Sequence, residues 1–590
     1  MPILALYRNL YVDPCLPNSC CHKECLDIAF LILVKMDQNV DPCNDFYRFA
    51  CGNFLRKVSF PQNGPSLKKK GSFTDIVSTV YLQIKSILED EIQSNDLRVL
   101  KNIKNYYKIC TNEVLVEKQG LEPLHNILKE FGGWPVLNTD KRIGSDVSWM
   151  DSVYKSHKLG YPSSSFITLK IVVDPKNSTH RVLQLDQASL GLAKEHLSKG
   201  EDDITVREYL SFMVDIAEML GAHKDRARIE MQESLRFEIS LANISRGEER
   251  GRNATALYKM MTVRELIREF PSFPWLDYIN KLLAPNVIIA EDEPVMVNVP
   301  SYIAGLEKLL KKTSNRTLAN YAIWRVVKTS IVHLNSQIRK REEAYLSVIP
   351  GAVHRMTKWV ECVSLVLRYF GFAVGSLYER LHFNKKLKER LGEVTSNIQR
   401  ELENVFLTVN WMDEDTKEAA LKKARSMSQH IGYPDDSVQD LEIEEYYRNF
   451  TVDPKSSILH ASLSVSRTIR NRNVGKLREP VGANEWIYKV NPVDVFAAYF
   501  PNFNSIVLTA SIFQEEYLKP GVPNYVDYGT IGMIVGHEMM HAFDDLGSQY
   551  DEKGNIKEWW TDNTRTEFGK RVQCLINQAN NYTPIEGSIK

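Results

Sequence analysis

The sequence predicts a mainly α-helical fold with small β elements, divided into at least two domains. Most of the chain repeats apolar residues at the three- and four-residue spacing of helices, and only two stretches have the pattern of a strand. A chain of 590 residues is too long for one compact core. Its composition, 43% apolar and 25% charged residues, is that of an ordinary globular protein.

Five stretches carry the helical pattern, and clusters of Pro, Gly, Asn and Asp separate them. The stretches run from Ser72 to Glu130, Val206 to Ile244, Arg264 to Leu283, Thr317 to Arg341 and Trp359 to Val405. Because Pro and Gly interrupt helices, we expect the helix boundaries at these clusters.

Two other stretches are predicted to be extended, and a helix follows the second. Residues Ser165 to Val173 alternate in hydrophobicity up to Asp174, which predicts a strand. Residues Phe503 to Ala510 are rich in β-branched side chains, which favour strands. After a loop that contains two prolines, Gly529 to Asp545 is predicted to form a helix.

That last helix contains the most informative motif in the chain, His537-Glu538-Met539-Met540-His541. Its spacing places both imidazoles on one helix face, one turn apart. Two neutral imidazoles so placed can hold one Zn²⁺, and Glu538 can take a proton from water beside them. The motif therefore indicates a zinc peptidase, against the alternative of a chance pattern on a buried helix. An extended peptide can pair with the edge of the preceding strand and lie across the metal.

Charge and hydropathy argue against a nucleic-acid-binding protein and against a membrane-spanning segment. The chain has 74 basic and 74 acidic residues, so it lacks the basic field of a nucleic-acid binder. The apolar run from Ile28 to Val34 is far shorter than the ~20 residues of a membrane span. Within Met1 to Leu10, Arg8 follows the apolar residues, whereas in a signal peptide the basic residues come first. We therefore expect no nucleic-acid partner, and no export signal or membrane span within this chain.

Two features nevertheless point outside the cell. Asn-x-Ser/Thr glycosylation sequons occur at Asn177, Asn243, Asn253, Asn315, Asn449 and Asn581. Five of the nine cysteines lie within the first 43 residues, which suggests a segment held by disulfides. Nine is an odd number, so at least one thiol lacks a partner within the chain.

Several motifs in order along the chain resemble the neprilysin family of zinc endopeptidases, peptidase family M13, which includes neprilysin and endothelin-converting enzyme. The motifs are Met36 to Gly52, Asn320 to Arg325, Trp411 to Lys417, Ile431 to Asp435, Tyr528 to Asp545 and Glu558 to Thr561. Chance does not produce such a collinear set.

The resemblance implies a two-lobed, gluzincin-type ectodomain that encloses a cavity open to oligopeptides. It implies a Cys-rich segment at 1–40, an N-terminal helical region at 41–436, a connecting segment at 437–490 and a catalytic region at 491–590. His537 and His541 would bind one Zn²⁺, and Glu538 would be the general base. The expected activity is cleavage of oligopeptides on the amino side of hydrophobic residues. The expected location is extracellular or at the cell surface, with any membrane anchor outside this chain.

The chain departs from the family pattern in two places. The family's third zinc ligand, the Glu of Glu-x-x-x-Asp, would fall beyond Lys590, so the resemblance implies a C-terminally incomplete catalytic lobe. Glu558 begins a similar pattern, but family members carry an equivalent segment besides the true ligand, and we do not assign it as a ligand. The family's substrate-binding Asn-Ala pair aligns with Phe496 and Ala497, so only the Ala497 carbonyl is kept for peptide binding.

The resemblance also implies how the cysteines pair. It predicts the disulfides Cys20–Cys25 and Cys110–Cys362. Partners for Cys43, Cys51 and Cys574 would lie beyond Lys590, while Cys15 and Cys21 have no counterpart in the family pattern. Besides an endopeptidase, two alternatives stay open: a catalytically impaired pseudo-peptidase that binds peptides or partners, and a non-catalytic intracellular isoform.

Overall fold

The computed structural model confirms a mainly α-helical chain with small β elements. The structure describes residues 23–57, 72–139, 148–247, 253–350, 356–382, 384–433, 440–482, 485–488, 490–512, 518 and 521–581. Helices dominate these residues, and the strands form two small sheets.

The first part of the chain is built from short and medium helices. In chain order they are α1 Lys23–Leu33, α2 Phe46–Lys57, α3 Ser72–Glu89, α4 Arg98–Thr111, α5 Glu113–Gln119, α6 Glu122–Phe131, α7 Trp149–Leu159, α8 Lys194–Leu197, α9 Ile204–Met219, α10 Lys224–Ile244, α11 Ala254–Leu257, α12 Val263–Glu269, α13 Trp275–Leu283, α14 Pro300–Lys312, α15 Asn315–Ser330 and α16 Ser336–Val348.

The second part of the chain contains the longest helices, the motif helix and the helix that follows it. In chain order its helices are α17 Lys358–His382, α18 Lys385–Thr408, α19 Glu414–Arg425, α20 Asp440–Tyr446, α21 Ile458–Gly475, α22 Asn524–Gly529, α23 Ile531–Met540 and α24 Asp562–Asn580. Short 3₁₀ turns join several of them.

Two small sheets complete the fold. The first has the order β1-β2-β4-β3, from strands Thr168–Asp174, Asn177–Asp186, Pro294–Val297 and Met260–Thr262 in that order. The second has the order β5-β7-β6, from Ser428–Ile431, Ser505–Leu508 and Ala497–Phe500. In the second sheet β5 and β7 are parallel, and β6 pairs antiparallel with β7 as an edge strand.

The predicted helical stretches are broken where the sequence supplies a cap. The stretch from Val206 to Ile244 splits at Gly221, whose φ of +105° no helix contains. The stretch from Trp359 to Val405 splits at Asn384, whose side chain accepts from the Lys386 N–H as an N-cap. The motif helix ends at Met540, not at Asp545 as predicted.

One hydrophobic core joins parts of the chain that are far apart in sequence. Ile76 of α3, Ile103 of α4, Val366 of α17 and Val465 of α21 are all buried within it. The disulfide Cys110–Cys362, with a sequence separation of 252, links α4 to α17 inside this core. The first helices are therefore packed against the middle of the chain.

Helix α17 is long and apolar enough to cross a membrane by composition alone. In this fold 72% of its most apolar window is buried inside the protein. Its Cys362 is fully buried and disulfide-bonded. The helix therefore serves as a core element here.

The hairpin of β1 and β2 reaches the segment that follows the motif helix. The Ile556 N–H donates to the Pro175 carbonyl, and the Ser178 N–H donates to the Asn555 side chain at 2.8 Å. The Ser178 hydroxyl also donates to the Lys553 carbonyl at 2.7 Å. The tip of the hairpin is thus fixed to residues 553–556.

Candidate metal centre and active site

The motif helix α23 forms because one of its faces is apolar and is buried against α18. Its buried apolar residues are Ile531, Ile534, Val535 and Met539. Gly532 allows the close approach, because a Cβ there would lie 3.4 Å from Ile398 and 3.3 Å from the Asp527 carbonyl. With this face covered, His537 on the opposite side is exposed.

The structure brings the two motif histidines together. Their Nε2 atoms lie 3.0 Å apart, with the rings at 85°. His541 follows the last helical residue but keeps helical backbone angles, so the four-residue spacing still places both rings on one side. With Glu538 they are the one group of three or more possible metal ligands within 4.8 Å in the described part of the chain.

The donor set fits zinc. Two nitrogens bound about 2.0–2.1 Å from one tetrahedral ion stand roughly 3.3 Å apart, close to the observed separation. Asp544 accepts from His541 Nδ1 at 2.8 Å, which leaves the His541 Nε2 lone pair for a metal. Asp544 is itself held by the N–H groups of Leu546 and Gly547, at 2.9 and 2.7 Å. A catalytic zinc takes three protein ligands. The described residues supply two imidazoles for it, and Asp544 orients that of His541.

Glu538 is buried between the motif helix and β6, with 8% of its surface exposed. The backbone N–H of Tyr499 donates to its Oε2 at 3.0 Å. Burial raises the pKa of Glu538 above its ordinary value, while His541, His537 and the Tyr499 N–H oppose the rise. A carboxylate with a raised pKa is a better proton acceptor than an exposed one.

The edge strand β6 presents backbone groups beside Glu538. The Phe496 carbonyl accepts from the Thr509 N–H, and Ala498 lies opposite Val507, so these residues face β7. Backbone N–H and C=O groups alternate in direction along an antiparallel strand, so those of Ala497 and Tyr499 face away from β7. The Tyr499 N–H does reach Glu538 on that side. The predicted Ala497 carbonyl therefore lies on the free edge near the motif.

Lys423 was not predicted from the sequence, yet it fixes the loop that follows His541. Its ammonium donates to the carbonyls of Ala542, Gly547 and Tyr550 at 2.8, 2.7 and 2.6 Å. The side chain is 1% exposed, and burial lowers the pKa of Lys423 to about 7. The loop that it fixes carries Asp544, the partner of His541.

The sequence did contain a signal for Lys423. Helix α19 buries Thr416, Ala420 and Ala424 on one face, and Lys423 falls on that same face. A lysine in an apolar stripe has to find buried acceptors, and here they are three backbone carbonyls. The neighbouring Lys422 points outward and pairs with Glu552.

Glu558 and Phe496, two residues singled out in the sequence, lie outside the group formed by His537, Glu538 and His541. Glu558 is exposed and ion-paired with Arg565, so it does not approach the histidines. Phe496 is 40% exposed at the start of β6, where its N–H donates to the Thr509 hydroxyl. Its ring offers no hydrogen-bonding group to a peptide.

The sequon asparagines and the cysteines are distributed over the surface and the core. All six sequon asparagines are exposed: Asn177, Asn243, Asn253, Asn315, Asn449 and Asn581. Cys25 is disulfide-bonded, while its predicted partner Cys20, like Cys15 and Cys21, lies outside the described residues. Cys43, Cys51 and Cys574 are free thiols.

Comparison with known proteins identifies the family. Models of peptidase family M13 match residues 42–434 and 496–589. Neprilysin-2 of Drosophila melanogaster is 35% identical over 578 residues, which cover 96% of this chain and 74% of that protein. The chain belongs to peptidase family M13.

Other relatives agree with this membership. Endothelin-converting enzyme 1 of Bos taurus is 31% identical to the M13 chain over 580 residues, covering 97% of this chain and 75% of that protein. The zinc metalloprotease Zmp1 of Mycobacterium tuberculosis, solved with an inhibitor, shares the fold with a TM-score of 0.82 at 24% identity. That match covers 94% of this chain and 80% of the Zmp1 chain. PepO of Lactobacillus rhamnosis has a TM-score of 0.78 at 19% identity. That match covers 91% of this chain and 82% of the PepO chain.

Proposed function

We propose that this M13 chain is a zinc-dependent endopeptidase that hydrolyses oligopeptides on the amino side of hydrophobic residues. The observation that carries the proposal is the grouping of His537, Glu538 and His541, with ligand atoms within 4.8 Å of one another, beside a free strand edge. His537 and His541 would hold the zinc, which would supply Lewis-acid chemistry for the scissile carbonyl and the attacking water.

The residues of the chain have separate tasks in this reaction. Glu538 accepts a proton from the attacking water and later gives it to the leaving amine. The Tyr499 N–H holds the Glu538 carboxylate in place, and Asp544 holds the His541 ring. Lys423 fixes the loop that carries Asp544.

The substrate is proposed to lie along β6 as an added strand. The backbone of Ala497 on the free edge can accept and donate hydrogen bonds to the backbone of any peptide. With Phe496 in place of an amide side chain, one such contact is absent, and weaker binding follows. One turn before His537 on the same helix face, Met533 is 63% exposed. A flexible apolar side chain there supports a preference for hydrophobic residues next to the cleaved bond.

An extracellular or cell-surface location is part of the proposal. The exposure of all six sequon asparagines and the buried disulfide Cys110–Cys362 support it, since both modifications belong to the secretory route. The comparisons do not support the pseudo-peptidase alternative.

The decisive experiment is the substitution Glu538→Gln in the full chain. The amide keeps an oxygen for the Tyr499 N–H but cannot accept the proton, so hydrolysis of a hydrophobic fluorogenic peptide should fall roughly 10²- to 10⁴-fold. Zinc content, measured by mass spectrometry, should stay at the parent value.

The matched control is Glu558→Gln, because Glu558 is exposed and distant from the cluster. It should cleave at the parental rate. A Glu538→Gln protein that contains zinc and cleaves as fast as the parent would refute the assigned role. Cleavage sites mapped mainly outside the amino side of hydrophobic residues would refute the proposed specificity.

A further inference from the structure

A cavity lies between the first hairpin and the end of α21, and we name it the hairpin cavity. Its volume is about 350 Å³, within the range of about 300–1,000 Å³ typical of small-molecule sites. None of the residues that line it belongs to the candidate active site. It is therefore a separate place where a ligand can bind.

One wall of the hairpin cavity is apolar. It is formed by Leu169 and Ile171 of β1, Leu282 and Leu283 of α13, and Val474 of α21. These side chains offer only dispersion contacts and an escape from water, which suits a hydrocarbon group.

The other wall carries an excess of positive charge. Arg181, Arg470 and Lys476 line it, and the one acid among the described lining residues is Glu485. Arg181 and Lys476 are deeply buried, with 5% and 9% of their side chains exposed. Both pair with Glu485, at 2.6 and 3.5 Å. One carboxylate therefore balances three cationic groups.

This crowding of cations affects their protonation. Burial is the main cause that lowers the pKa of Arg470 to about 10, and the positive charge of Arg467 is the second. Burial also lowers the pKa of Lys476, where Arg181 and Arg472 act against the pull of Glu485. An anion placed among these groups would reverse part of the effect, because an opposite charge favours the charged form of a base.

The polar groups of the cavity are incompletely satisfied by the protein. Arg470 donates to the carbonyls of Tyr161 and His157, but its buried Nε has no partner among the described residues. The same holds for Nδ1 of His157, which also lines the cavity. Both atoms are themselves inaccessible, so they show incomplete pairing behind the basic wall and are not direct contacts for a ligand in the cavity.

We propose that the hairpin cavity binds an amphiphilic carboxylate, with its head on the basic wall and its hydrocarbon group against the apolar wall. The head is an anion because the basic wall carries more positive than negative charge. A fatty acid and the C-terminal hydrophobic residue of a peptide share this chemistry. The proposal is independent of the reaction at the zinc motif.

The test is a calorimetric titration of the full chain with decanoate, acetate, 1-decanol and N-acetyl-leucine. Decanoate should bind at least ten times more tightly than acetate or 1-decanol, which lack the tail and the charge respectively. Tighter binding of decanoate than of N-acetyl-leucine assigns the site to fatty acids, and the reverse assigns it to peptide ends. Acetate or 1-decanol binding as tightly as decanoate would overturn the proposal.

Variants locate the binding within the molecule. Lys476→Met and Arg470→Met should each weaken decanoate binding roughly 10- to 100-fold. Lys176→Met is the matched control, because Lys176 is exposed on the same hairpin but does not line the cavity. Unchanged decanoate binding in both lining variants, or equal loss in Lys176→Met, would overturn the proposal. If decanoate bound at the zinc motif instead, both lining variants would bind it like the parent.

Discussion

At the scale of single residues, a buried amine fixes the loop beside the candidate metal centre. Lys423 is nearly inaccessible, yet it makes three hydrogen bonds to carbonyls and lies within 6 Å of three aromatic rings, those of Tyr499, Phe543 and Trp559. These contacts combine hydrogen bonding with cation–π attraction in a site from which water is excluded. The loop after His541 is therefore held by one side chain from another helix.

The charge state of Lys423 should make stability depend on pH. Its folded-state pKa, lowered to about 7, lies below the unfolded value of about 10.5, so between these values the unfolded chain binds more protons. The free energy of unfolding should therefore rise with pH in this window, by at most about 1.4 kcal/mol per pH unit. Lys423→Met should remove that rise in urea unfolding at pH 7 and 9.

The neighbouring Lys422 provides the control for this measurement. It is exposed and paired with Glu552, so Lys422→Met should keep the pH dependence of the parent. An identical dependence in the parent and in Lys423→Met would contradict the assignment of the effect to Lys423.

Asp544 should set the zinc affinity of the site. It accepts from His541 Nδ1 and is held by two backbone N–H groups, so it fixes the ring orientation. Asp544→Asn should weaken zinc binding about 10- to 100-fold in competition with a chelator. The exposed Asp545→Asn should bind zinc like the parent; equal weakening in both would mean that general charge, not orientation, controls affinity.

Among the elements, the tight turn at 551–556 joins the catalytic segment to the first hairpin. Asp551 accepts from the N–H groups of Lys553 and Asn555, both at 2.9 Å. Gly554 has a φ of +77°, and a Cβ there would lie 2.4 Å from the Asn502 carbonyl. Only glycine satisfies both constraints.

Gly554→Ala should therefore destabilise the protein, by about 1–3 kcal/mol in chemical unfolding. Gly569→Ala is the comparison, since Gly569 lies within α24 with no atom within 4 Å of a Cβ. That change should be neutral or stabilise the protein by about 0.5–1 kcal/mol. Gly554→Ala with parental stability would contradict the steric argument.

The elements differ in how far the sequence predicts them. The motif helix and β7 were predicted, because a run of apolar or β-branched residues decides each locally. Strands β2 to β6 were missed. Strand β7 is as short as β5 and β6, but all four of its residues are buried, whereas β5 and β6 are mostly half-buried and are specified by their neighbours in the sheet. For the same reason Lys423 escaped notice: its acceptors lie more than a hundred residues further along the chain. The proposed domain boundaries stay predictions.

On the scale of the whole molecule, the disulfide Cys110–Cys362 closes a loop of more than 250 residues. Removing it by Cys110→Ala together with Cys362→Ala should lower the free energy of unfolding by about 2–5 kcal/mol. Cys574→Ala, which removes an exposed free thiol, should leave stability unchanged. Equal stability of the double variant and the parent would show that core packing alone joins α4 to α17.

The core that joins α3 and α4 to α17 and α21 also has a consequence for synthesis. At ~5–20 residues per second, the ribosome needs roughly 10–50 s after making α4 before it has made α17. During that interval the apolar faces of the first helices have no native partner to cover them. A nascent chain of this kind would benefit from chaperones that cover these apolar faces during that interval.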